Sequence, residues 1–129
     1  MSNTHLIYSP LTVPVSRNKS FSLNLNPFRN THHILLNKAK VNYKEAVSLQ
    51  ISKLPQLKKV NIIFTLFPKT KRSVDISNVC CIHDKFFCDA LVELGKLPDD
   101  NYKHITSITY CFGSIDPSNP RVEILIIEV

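Results

Sequence analysis

The chain has 129 residues, 43% of them hydrophobic and 20% charged, with a net charge of +6. That length makes one domain able to bury a core without disulfide or metal staples. Only two glycines argue against Gly-rich phosphate-cradling loops, and no apolar run reaches the length of a membrane helix.

Residues 1–19 are rich in Pro, Ser and Asn and show no clear period, so they read as a loose arm, or as an irregular segment with one short strand near Leu11–Val15. "FSLNLN", 21–26, alternates apolar and polar residues and predicts a strand. "PFRNTHH", 27–33, reads as a polar basic loop. Over 35–54, Ala39, Tyr43, Ala46, Val47 and Ile51 recur at helical spacing, and Pro55 ends the helix. "KKVNIIFTLFP", 59–68, is β-branched and aromatic, as a central strand requires. "KTKRS", 69–73, is a basic connection.

From Asn78 to Leu94 the period is helical again, with Ile82, Phe86, Phe87, Ala90, Leu91 and Leu94 on one apolar face. Gly95 is a C-terminal stop, and "LPDDN" is a turn. Residues 104–113 and 121–129 alternate as strands, and with 114–120 as their loop they predict a hairpin. The order is roughly β-α-β-α-β-β. The expected class is mixed α/β (α+β): one small domain, a mixed sheet flanked by two main helices. The start lacks the basic-then-apolar pattern of a signal peptide, so the expectation is a cytoplasmic protein with reduced thiols and no membrane partner.

Charge is divided along the chain. Residues 1–72 hold twelve Lys and Arg against one acid, Glu45, while residues 73–129 hold four basic and nine acidic residues. Folding does not require such a split. A basic half can face a polyanion, and an acidic half can hold a cation. Six of the ten acids lie between Asp75 and Asp100.

On a helical wheel Lys85 and Asp89 fall within about 20° of Asn78 on either side. Asp75 precedes the helix near the same direction, and Asp99 and Asp100 follow where the chain can fold back. Asp75, Lys85, Asp89 and Asp100 can thus face one cavity. Mg²⁺ takes hard oxygen ligands, and one or two carboxylates with substrate phosphate oxygens suffice. A lysine beside them stabilises the oxyanion or protonates the leaving oxygen. Simpler roles fit the same residues: Asp75 or Ser77 as a helix N-cap, Lys85–Asp89 as an i,i+4 ion pair, and Asp99–Asp100 as part of a polar turn.

Cys80, Cys81, Cys88 and His83 cluster on the helix, and Cys111 lies on a later strand. Adjacent cysteines with one distant partner fit a zinc site poorly; buried thiols in the core fit better. His32–His33 sits in the basic loop. Arg29, Lys38, Lys40 and Lys44 form one basic group, and Lys69, Lys71 and Arg72 a second. They suit backbone phosphates and equally a solvated surface.

At "VDISN…DKFFCDALVELGKLPDDN" the chain resembles the RusA family of Holliday-junction resolvases, found in bacteria and their phages. The family pattern is Asp-x-Asp-Asn, then Lys, then Asp-Ala-Leu, Gly and Asp-Asp. Asp75-Ile76-Ser77-Asn78 matches the first element, Lys85 and Asp89-Ala90-Leu91 the second, Gly95 and Asp99-Asp100 the last. The resemblance is densest over about 73–103. Two features depart from it: Ser77 replaces the second Asp, and the gap from Asn78 to Lys85 is longer by about one helical turn. Asp84 or Asp89 is a candidate substitute for the lost carboxylate; alternatively Asp75 stands for the second Asp and Ser73 for the first.

The resemblance implies a Mg²⁺-dependent endodeoxyribonuclease, with Mn²⁺ as a substitute, that makes paired nicks in four-way DNA junctions in recombination and repair. It implies a homodimer with branched DNA as its partner, in a bacterial or phage-infected cell. Asp75, Asn78, Lys85 and Asp100 would be catalytic. Asp75 and Asp100 would hold metal, with Asp89 and Asp99 as further candidates. Arg29, Lys38, Lys40, Lys69, Lys71 and Arg72 would face DNA. A different reading keeps the branched-DNA binding and loses catalysis, with Ser77 as the mark of that loss.

Overall fold

The computed structural model describes residues 3–129. In chain order the elements are β1 (Thr4–Ser9), β2 (Thr12–Ser16), β3 (Lys19–Ser22), α1 (Leu25–Asn30) and α2 (His33–Ser52). They continue with β4 (Val60–Phe67), α3 (Ile76–Glu93), β5 (Ile105–Phe112) and β6 (Arg121–Glu128). The class is mixed α+β, as the alternation of periods predicts.

A four-stranded sheet runs β1-β6-β4-β5, and β2 and β3 form a separate hairpin. β4 and β5 are parallel, joined through α3; the other pairings are antiparallel. One sheet face is fully buried, through Ile62, Phe64 and Leu66 of β4 and Val122, Ile124 and Ile126 of β6. The helices pack on that face. α2 contributes Ala39, Tyr43, Val47 and Ile51, and α3 contributes Ile82, Phe86, Phe87, Ala90 and Leu91. The opposite face, with Ile63, Thr65, Glu123 and Leu125, stays half-exposed, the arrangement of an α+β layer pair.

Four local expectations change. Residues 4–16 are not a loose arm: β1 pairs with β6 from Thr4↔Ile127 to Ser9↔Val122, and the short strand expected near Leu11–Val15 is β2, which pairs with β3. The first two residues of that expected arm lie outside the described residues. The strand expected over 21–26 ends at Ser22. Asn24 then caps α1, its side-chain oxygen accepting from the Asn26 N–H at 3.1 Å. The basic loop expected from 27 therefore begins inside a helix, and Pro27 sits in its first turn, where no N–H is required. Ala46 faces solvent rather than the core.

The expected β5–β6 hairpin does not form, because β4 lies between the two strands. β6 is buried on alternate positions and half-buried at the rest, as suits a central strand; the polar β5 suits an edge. The connection 113–120 crosses the end of β4. Gly113 donates to the Leu66 carbonyl at 2.8 Å, and a Cβ there would lie 2.5 Å from the Phe67 ring. Arg121 covers that ring at 4.1 Å and pairs with Asp116 and Glu123.

Helix α3 ends as expected. Gly95 takes a φ of +78°, Lys96 N–H reaches the Leu91 carbonyl at 2.9 Å, and Gly95 N–H reaches Val92 at 3.0 Å. This paired closure is a Schellman motif, and it aims the following turn back along the helix.

Candidate functional site

Two separate depressions hold the predicted catalytic residues. The first is a cleft of about 470 Å³ between α2, α3 and the edge strand β5. Lys85 and Asp89 reach it from α3, Lys40 from α2 and Asp100 from the turn, while Ile108 and Tyr110 of β5 form the far wall. The second, about 480 Å³, lies at the start of α3 and contains Asp75, Asn78, Arg72, Asn24 and Asn26. Lys85, Asp89 and Asp100 thus share one cavity; Asp75 and Asn78 line a different one.

The first cleft crowds like charges. Partial burial, and then the Asp100 carboxylate, push the Asp89 carboxyl above its usual range, while Lys40 and Lys85 pull the other way. Asp84 stands beside them, half-buried. It accepts from the Tyr110 hydroxyl at 2.7 Å and from the Cys88 thiol at 3.2 Å. Burial, then the bond to Asp84, push the Tyr110 hydroxyl up. Burial also pushes the Cys88 thiol up, and Asp84 adds to it. Both groups therefore remain protonated donors that orient the carboxylate.

Asp99 has a different task. Its Oδ1 accepts the Asp100 N–H at 2.7 Å and its Oδ2 accepts from Asn101 at 3.0 Å. It shapes the turn that carries Asp100 to the cleft and does not line the cleft itself. Asp75 occupies the N-cap position of α3 without a side-chain cap bond to the helix backbone. It accepts from the Asn78 amide at 3.3 Å. Ser77 is exposed on the first turn. No Lys85–Asp89 ion pair forms among the described residues, although Lys44 pairs with Glu93 at 2.7 Å.

Among the described residues no three His, Cys, Asp or Glu side chains converge into a complete ligand set. Mg²⁺ needs only one or two carboxylates when substrate phosphates and waters fill the remaining positions. Asp89 and Asp100 supply two such carboxylates to one cleft, a donor pair that suits a divalent ion.

Arg29, Lys38, Lys40, Lys69, Lys71 and Arg72 are all exposed. Arg29 and Lys85 both come near enough to Cys81 to favour its thiolate, although burial keeps that thiol above its ordinary range. All four cysteines are free; Cys80 and Cys88 are buried, and burial pushes Cys80 up to about 12. These two fill the core, as the sequence suggests, whereas Cys81 and Cys111 are only partly buried.

Asp84 and Tyr110 are the cleft residues that the helical wheel did not select for the site. Asp84 sits one position, about 100°, from Lys85, which points it toward β5. Only the placement of β5 beside α3 makes that direction part of the cleft.

No protein-family model and no curated protein matches the chain.

Proposed function

We propose that this protein is a metal-dependent, structure-selective endonuclease that nicks four-way DNA junctions. The observation that carries the reading is that Asp89 and Asp100 line one cleft with Lys85 and Lys40, on a chain whose first 72 residues are strongly basic. The resemblance of residues 73–103 to the RusA resolvases supports the same chemistry. Bound Mg²⁺ or Mn²⁺ would polarise the scissile phosphate and activate a water.

Each side chain then has a role. Asp89 and Asp100 hold the cation, and Asp84, braced by Tyr110, is the substitute carboxylate that Ser77 calls for. Lys85 neutralises charge developing on the phosphate oxygens, and Lys40 and Arg29 engage the flanking backbone. Asp75 and Asn78 position the strand at the second depression. Two symmetric nicks call for two sites on a twofold axis, so the reading includes a homodimer.

The test is purified protein on a labelled four-way junction beside a linear duplex, with and without Mg²⁺. The expected result is paired, metal-dependent nicks in the junction alone. Asp100→Asn should abolish cutting while junction binding persists or tightens, because carboxylate–phosphate repulsion is relieved. Wild-type protein that cuts in neither Mg²⁺ nor Mn²⁺ sinks the nuclease reading. The separation of Asp75 from the Asp89–Asp100 cleft favours a second reading for that outcome: a branched-DNA-binding dimer without catalysis.

A further inference from the structure

A third cavity, of about 240 Å³, opens beside the depression that holds Asp75. It lies where the β2–β3 hairpin meets the connection from β4 to α3. Leu11, Leu23, Leu66 and Val79 make its floor, and Lys69 and Arg72 stand at its rim. Its lining is mostly apolar and, among the described residues, includes no carboxylate. Neither rim cation forms an ion pair among the described residues.

The two depressions share a wall: Ser22, Asn24, Arg72 and Val74 line both of them. A strand whose phosphate met Arg72 beside Asp75 would bring its next base to the apolar pocket. An apolar floor accepts the flat face of a base, and Thr12, Asn24 and Thr70 at the sides supply hydrogen-bonding groups for its edge. The uncompensated cationic rim suits the attached phosphate rather than an apolar side chain of a protein partner.

We propose that this pocket receives one unstacked nucleobase of the bound DNA, next to the phosphate held at Arg72. The inference rests on the DNA reading above and adds a contact with the base to it. Unstacking costs a few kcal/mol in a regular duplex and least where pairing is already disturbed, so a branch point supplies such a base most readily. The pocket would then help to select branched over linear DNA.

The probe is a four-way junction carrying 2-aminopurine, a base whose emission rises on unstacking, at successive positions around the exchange point. Wild-type protein, in buffer without divalent metal, should raise emission at one or two positions and not elsewhere. Thr70→Trp and Thr12→Trp place a ring in the pocket from two separate exposed positions. Each should abolish the emission rise and weaken junction binding roughly tenfold, with the urea midpoint of unfolding unchanged.

Salt-dependent junction binding with no emission change at any position overturns the base pocket and leaves the DNA reading standing. An emission rise that survives both tryptophan variants also overturns it. Absence of any salt-dependent junction binding removes the DNA reading and the pocket with it.

Discussion

His83 joins three elements at a single buried point. Ser9 of β1 bridges the Tyr43 hydroxyl of α2 at 2.6 Å and the His83 Nδ1 of α3 at 2.7 Å, and all three residues are fully buried. His83 Nε2 has no hydrogen-bond partner among the described residues, so a charged imidazolium there would be left with one unpaired N–H. Burial accordingly lowers the His83 pKa to about 3. The unfolded chain takes up its proton near pH 6.5, so the contribution of neutral His83 is complete above that pH. It weakens as pH falls from 6.5 toward 3, by about 1.4 kcal/mol per pH unit. Urea midpoints between pH 7 and 4 should show the loss, and His83→Gln should flatten the slope relative to wild type. Equal slopes would mean that other groups govern acid sensitivity.

Single residues control whole elements at two places. The first is the left-handed closure of α3. Alanine at Gly95 meets no atom within 4 Å, so Gly95→Ala tests conformation alone. It should cost about 1 kcal/mol, read as a lower urea midpoint. The second is Gln50, whose amide accepts from the Tyr8 N–H at 2.8 Å and donates to the Tyr8 carbonyl at 2.9 Å. β1 is an edge strand, and this side chain occupies groups that another strand would otherwise pair with. Gln50→Ala should accelerate hydrogen exchange at the Tyr8 amide, and concentration-dependent association should rise. Unchanged exchange would mean that the amide is protected by something other than Gln50.

At the scale of the molecule, seven of the twelve basic residues of 1–72 lie on α1, α2 and the connection after β4, and one of them, Lys40, lines the cleft between α2, α3 and β5. If Arg29, Lys38, Lys40, Lys69, Lys71 and Arg72 all meet phosphate, log K should fall with log salt at a slope of about −5 per protomer. Lys71→Ala should reduce that slope by about one and weaken all DNA shapes alike. Asp84 should matter for cutting but not for this slope, because it holds a half-buried place in the cleft wall.

The periodicity of α2, β4 and α3, the Gly95 stop and the burial of Cys80 and Cys88 were legible in the sequence, because each depends on residues within one or two turns of one another. The grouping of Lys85 with Asp89 was legible for the same reason. Strand order was not. β5 and β6 are neighbours in the chain and both alternate, and only burial on the finished sheet decides that β6 is central and β5 an edge. β1 escaped notice because its short polar alternation gains meaning only against β6. The site follows the same rule. The wheel aligned Asn78 with Lys85 and Asp89, but α3 is long enough for its start and its middle to face different depressions. Asp84 joined the cleft through Tyr110, a contact across 26 residues that no local pattern encodes. Directions along one helix belong to the sequence, whereas which directions enclose a cavity depends on the strand that packs against it.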